Sequence, residues 1–147
     1  MEKPRVLFLC TGNSARSQMA EAFLKKYASH AFEAYSAGLE PKGIHPLTVK
    51  VMEEVGIDMS TQRSKPLREY MGKLLFGYLV TVCGQADANC PAVFPGVGQR
   101  LHWDFEDPAA FVGTAEERLM KFRQIRDLIQ DRLLAWIREH GVKPYEL

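Results

Sequence analysis

The chain has 147 residues, with 19 Lys and Arg against 18 Asp and Glu for a formal net charge of +1; 46% of residues are hydrophobic and 25% charged. That balance fits one globular domain, residues 1–147, large enough for a real core. It excludes a disordered chain, which needs low hydrophobicity and a large net charge, and gives no support to a nucleic-acid binder, which carries a basic surplus.

Arg5 to Cys10 reads as a short, buried, parallel-type strand. The apolar run inside it, Val6 to Cys10, is far too short to span a bilayer. Met1 to Arg5 leads straight into it, so no secretory leader is expected. From Ser17 onward Met19, Ala20, Phe23, Leu24 and Tyr27 fall three or four apart, the period of a helix. Phe32 to Ala37 reads as a second strand closed by Gly38. Pro46 to Val55 reads as a helix, with Pro46 in its first turn and Gly56 just past its end. Ser64-Lys65-Pro66 is placed to cap a short helix ending at Gly72.

Gly77 to Cys83 reads as the third strand and Arg100 to Asp104 as a shorter fourth. Thr114 to Glu139 spaces Leu119, Phe122, Ile125, Ile129, Leu133 and Trp136 at three or four, an amphipathic helix covering a sheet face. Strands alternating with helices predict an α/β fold: a small, doubly wound, four-stranded parallel sheet flanked by helices. Ligands of such sheets sit at the carboxyl ends of the strands. Cys10, Cys83 and the residues after Asp104 all fall on that edge.

The segment Cys10-Thr11-Gly12-Asn13-Ser14-Ala15-Arg16-Ser17 joins the first strand to the first helix. Successive amides in such a turn converge into an anion site, and the helix N-terminus adds its positive end. Gly12 and Asn13 are the residue types that best tolerate positive φ. Arg16 supplies a planar cation matched to two oxygens of a tetrahedral oxyanion. Thr11 to Arg16 are therefore the candidate oxyanion-binding residues. A Cys10 thiol at the base should have a lowered pKa, with Ser17, and also Ser14, as hydrogen-bond donors to it. A dinucleotide or Walker loop is excluded because neither G-x-G-x-x-G nor G-K-[ST] occurs.

Cys10-x5-Arg16-Ser17 resembles the low-molecular-weight protein tyrosine phosphatase superfamily, and the longer string CTGNSARSQMAEAF is more similar to its arsenate reductase branch. The resemblance continues through Ser36 to Gly38, VTVCGQADANCP and Asp107 to Ala109. It implies arsenate bound as a phosphate mimic, with Cys10 attacking arsenic. Cys83 then attacks the Cys10 sulfur and Cys90 attacks Cys83. Thioredoxin reduces the resulting Cys83–Cys90 disulfide. A regular helix would put these two Cα atoms ~10.5 Å apart, beyond the about 4.4–6.8 Å of a disulfide. The Gly84 to Pro91 segment must therefore be non-helical or melt as the bond closes.

Asp104, Glu106 and Asp107 are all able to protonate a leaving oxygen by charge alone; the resemblance of Asp107-Pro108 to the superfamily's acid loop selects Asp107. Ala109 and Ala110, where phosphatases of the superfamily carry aromatic residues, suit a small inorganic anion, and Phe111 is assigned to the core. Three cysteines is too few and too odd a number for a disulfide scaffold and points to cytoplasmic thiols. His30, His45, His102 and His140 show no ligand spacing to them, so no metal or cofactor is expected. Asn13, Glu21 and Ser36 match three potassium-ligand positions of the resemblance, while Lys65 stands at the fourth; strong potassium dependence is not expected. A monomer with no nucleic-acid or membrane partner is expected. Two alternatives stay open: a phosphatase acting on small phosphate esters or phosphotyrosine, and a module holding soft metal ions with three thiolates.

Overall fold

The computed structural model describes residues 2–84 and 96–145. Val6 to Leu9 are completely buried, and a segment apolar on both faces needs partners on both sides. It becomes the central strand β1 (Arg5–Cys10), paired in parallel with β2 (Glu33–Gly38) and β3 (Phe76–Thr81); β4 (Val97–His102) adds to β3 at the edge. The order is β2-β1-β3-β4, the expected α/β sheet.

Three helices flank the sheet among the described residues: α1 (Arg16–Ala28), α2 (Pro46–Glu53) and α3 (Ala115–Glu139). Ten of the thirteen α1 residues are buried, from Ser17 through Ala28, because α1 lies against β1, β2 and α3. Thr114 and Glu117 form a capping box at the start of α3, with reciprocal bonds of 3.1 and 3.0 Å. Phe122, Ile125, Ile129, Leu133 and Ile137 of α3 then enter the core. No helix among the described residues is long and apolar enough to cross a membrane.

The chain runs from β1 to β2 on one side and takes up β3 on the other, so the winding direction reverses between the carboxyl ends of β1 and β3. A crevice opens at such a reversal. Cys10 is the last residue of β1, and the Val82 amide still donates to Leu9 O at 2.9 Å. Cys83 therefore leaves the sheet beside Cys10.

Several boundaries differ from the sequence reading. β2 runs one residue later, because its register pairs Arg5 with Glu33 and Cys10 with Gly38. α2 ends at Glu53 rather than Val55, closing in turns stabilised by Glu54 and Gly56 amides. The expected helix after Pro66 is a single 3-10 turn, Leu67–Glu69. Pro66 is extended and bridges Gly38, and Ser64 bonds to Gly12 O at 3.2 Å rather than capping. β3 starts at Phe76 and ends at Thr81, two residues before Cys83. β4 begins at Val97, not Arg100. Gly98 lies so close to Gly77 that a Cβ there would sit 3.1 Å from Gly77 O, and this backbone pairing leaves little trace in the polar sequence.

Candidate active site

The loop 10–16 is held from outside. The carbonyls of residues 10–15 all accept from named donors. Cys10 O accepts from Leu39 N (3.2 Å), Thr11 O from Glu40 N (2.8 Å), Gly12 O from Lys42 N (3.0 Å) and Ser14 O from His45 N (3.0 Å). Thr48 Oγ1 adds a second bond to Ser14 O at 2.9 Å, Gln18 Nε2 donates to Asn13 O at 3.2 Å, and Met19 N to Ala15 O at 2.9 Å. Amides point opposite to carbonyls, so the N–H groups face inward. Ala15, the residue before α1, makes no side-chain cap, which leaves the first-turn amides for an anion.

Two donors converge on the Cys10 sulfur. The Asn13 amide lies 3.2 Å away and the Ser17 hydroxyl 2.8 Å away. Asn13 Nδ2 donates to Ser17 Oγ at 2.8 Å, so the Ser17 proton is directed at sulfur. Asn13 Oδ1 is fixed in turn by Gln18 Nε2 (2.9 Å) and the Lys65 amide (3.0 Å), and Gln18 Oε1 by Gln62 Nε2 (2.7 Å). Both bonds to Cys10 hold the sulfur at the base of the loop. Ser14, the second candidate donor, makes no such bond, because its hydroxyl lies toward Gly12 at the cleft wall.

Of Gly12 and Asn13, Asn13 takes a positive φ, 47°, and Gly12 does not, against expectation. The glycine that the loop requires is Gly38 beneath it. A Cβ on Gly38 would come within 2.8 Å of Thr11 O and 2.9 Å of Asn13 N, inside any tolerable contact with backbone.

The amides open onto a cleft of about 160 Å³ lined by Cys10 to Gly12, Ser14 to Arg16, Lys42, Asp107 and Ala109. Arg16 Nη1 donates to Phe105 O at 3.0 Å, and Nη2 lies 3.6 Å from Asp107 Oδ2. Asp107 Oδ1 caps the 3-10 turn Pro108–Ala110 through the Ala109 amide at 3.0 Å. The guanidinium is 12% exposed and the carboxylate 43%, so the base sits inside and the acid at the rim. Asp104 and Glu106 do not line the cleft; Glu106 pairs with Lys121 at 3.0 Å. Phe111 is not core: it is half-buried under the Lys121 ammonium, 5.1 Å from its ring centre, because the loop runs along the surface of α3.

Cys83 is buried, as is Cys10. Thr11 Oγ1 lies 3.6 Å from its sulfur, so the loop residue that follows Cys10 contacts Cys83. Cys90 and most of the Gly84 to Pro91 segment lie outside the described residues.

At the back of the loop, Lys65 is 5% exposed. Its ammonium lies 2.9 Å from Arg63 O, 3.3 Å from Ser36 Oγ and 3.6 Å from Glu21 Oε1, while Ser36 donates to Glu21. Burial lowers the Lys65 pKa from its usual value, against the pull of Glu21. Of the residues that the resemblance suggested for potassium, Glu21 and Ser36 thus face a covalently tethered cation, while Asn13 binds the Lys65 backbone amide; this donor set does not fit a second cation. His45 accepts from Leu47 N at 3.0 Å as the cap of α2. Its pKa is lowered by burial and by Arg118, with Asp107 opposing.

The sequence reading named the loop, Arg16, Ser17, Cys83 and Asp107. It missed Gln18, Thr48 and Lys42, which act through backbone neighbours distant in sequence or by lying across the cleft mouth.

A thiol-bearing anion loop at the reversal point of a β2-β1-β3-β4 parallel sheet defines the low-molecular-weight phosphatase-like class. The profile described as Low molecular weight phosphotyrosine protein phosphatase matches residues 5–143, and the chain belongs to that family. It is 47% identical over 134 residues to the arsenate reductase of Halalkalibacterium halodurans, covering 90% of this chain and 94% of that one. A structure described as an arsenate reductase in the phosphate binding state superposes with a TM-score of 0.77 at 32% identity, covering 92% of this chain and 98% of the other. The thioredoxin-dependent arsenate reductase of Corynebacterium glutamicum is similar at 28% identity, TM-score 0.58, over 90% of this chain and 63% of that chain.

Proposed function

We propose that the chain reduces arsenate to arsenite through a thiol–disulfide relay. The observation that carries this reading is the second buried thiol, Cys83, tied by Thr11 to a loop whose own thiol faces a ring of amides; a phosphatase has no use for it. The arsenate reductase relatives support it. Arsenate enters the amide ring, and Arg16 holds two of its oxygens. The Cys10 sulfur, held by Ser17 and Asn13, attacks arsenic. Asp107 gives a proton to the departing oxygen, which leaves as water. The Cys83 thiolate then attacks the Cys10 sulfur. The S–As bonding pair passes to arsenic, which falls from As(V) to As(III), and a Cys10–Cys83 disulfide remains. Cys90 attacks Cys83, Cys10 departs as thiolate, and a dithiol donor of the thioredoxin type supplies two electrons to the Cys83–Cys90 bond. One chain carries every residue used, so a monomer suffices, and a reducing cytoplasm suits the thiols.

The test is arsenate turnover with thioredoxin, thioredoxin reductase and NADPH, together with mass mapping of disulfides after one turnover without reductant. Cys10→Ser, Cys83→Ser and Cys90→Ser should each abolish multiple turnover. Full turnover by Cys83→Ser overturns the relay. The phosphatase reading rests on the Arg16–Asp107 pair at the cleft. It requires hydrolysis of an aryl phosphate, undiminished in the Cys83 and Cys90 variants, as the dominant activity.

A further inference from the structure

We propose that Lys42 is a second cationic contact of the oxyanion cleft, the residue that captures the incoming anion. The inference rests on the oxyanion reading above and adds to it.

The cleft has a charge problem. Arg16 is its obvious cation, but the guanidinium is already engaged by Phe105 O and by the Asp107 carboxylate 3.6 Å away. Arg16 supplies one formal positive charge, and part of its hydrogen-bonding capacity is already spent on Phe105 O. A tetrahedral oxyanion carrying one or two charges needs a further cation at the mouth.

Lys42 stands there. It lines the cleft with Arg16 and Asp107. Its backbone is pinned to the loop by the bond from Lys42 N to Gly12 O. Its stem crosses Gly12, with Cδ and Cγ at 3.5 and 3.6 Å from where a Gly12 Cβ would lie. Unlike Lys65, Lys25, Lys26 and Lys121, its ammonium has no hydrogen-bond or ion-pair partner among the described residues. An exposed, flexible ammonium on an anchored stem suits capture: it meets the anion in solvent and follows it to the amides. Such a contact acts mainly on binding and on its salt dependence.

The test uses the reduced full-length chain and inorganic phosphate as probe. Alkylation of Cys10 by iodoacetamide, read by peptide mass, is followed against phosphate concentration at low and high ionic strength. Phosphate should protect wild-type Cys10 saturably. Lys42→Gln should raise the protecting concentration about two- to fivefold at low salt and flatten its salt dependence. Lys42→Arg should stay within about twofold of wild type, as a charge contact requires. Equal protection in Lys42→Gln at both salt concentrations overturns the Lys42 role alone. So does a loss in Lys42→Arg as large as in Lys42→Gln, which would assign the effect to the stem. Failure of phosphate to protect wild-type Cys10 overturns the oxyanion reading itself.

Discussion

Replacing Lys65 with Met tests how the back of the loop is held. The substitution keeps the apolar stem and removes the ammonium. Glu21, 6% exposed at its side chain, then loses a cation 3.6 Å away. At an effective dielectric of ~20, that attraction amounts to roughly 4.5 kcal/mol. Two effects reduce the net loss. The ammonium no longer has to be dehydrated, and Glu21 keeps Lys25 Nζ at 2.5 Å and the Ser36 hydroxyl. The expected destabilisation is about 3 kcal/mol, the low end for breaking a buried pair, with a fall in Tm on the order of 6–12 °C. Urea unfolding followed by circular dichroism measures it. The bond to Asn13 Oδ1 comes from the Lys65 backbone, so Cys10 alkylation should change little. Since the cradle already holds its own cation, wild-type stability should be the same in KCl and NaCl. A variant as stable as wild type, or a wild type stabilised by K⁺ and not Na⁺, would refute the reasoning.

Ser17→Ala removes the 2.8 Å donor to Cys10; a bond to a charged group contributes about 1.5–3 kcal/mol, so Cys10 alkylation and arsenate turnover should both fall by roughly ten- to a hundredfold, and unchanged rates would remove Ser17 from the site. Gly38→Ala forces a Cβ onto Thr11 O and Asn13 N and should destabilise the fold by about 1–3 kcal/mol, whereas Gly12→Ala meets only the Lys42 stem and Ser14 Oγ at ordinary distances and should unfold within about 1 kcal/mol of wild type. The folded His45 pKa lies below its ordinary 6.5, so the unfolded chain binds more protons in the window between the two values. The contribution of His45 is complete above 6.5 and is lost as pH falls through the folded pKa. His45→Asn, which keeps a capping acceptor, should flatten that part of the stability–pH curve; an unaltered slope assigns it to other groups.

The sheet was legible because Val6 to Leu9 are apolar without alternation, which only a strand covered on both faces allows. The loop was legible because Cys10, Gly12, Asn13, Arg16 and Ser17 cluster between a strand and a helix. Other features escaped for physical reasons. β4 is an edge strand whose residues are mostly exposed, so its pairing depends on backbone bonds rather than on a side-chain pattern. Gly38 is adjacent in space to Thr11 and Asn13 but 25 residues and more from them in sequence, so its steric role appears only once β2 lies beside β1. Gln18 is completely buried, yet it reads as an ordinary polar residue of a first helical turn until its partners Asn13, Gln62 and Arg63 are assembled around it.

With every carbonyl of residues 10–15 anchored to outer neighbours, the receptacle has its final shape before a guest arrives. Tetrahedral anions of like size then enter on nearly equal terms, and occupancy follows abundance. Phosphate must act as a competitive occupant that no adjustment of the rigid rim can shut out. Under the proposed relay, discrimination falls instead to the step after entry, where only an atom able to take up an electron pair lets Cys83 complete its attack; selectivity in such a design is kinetic.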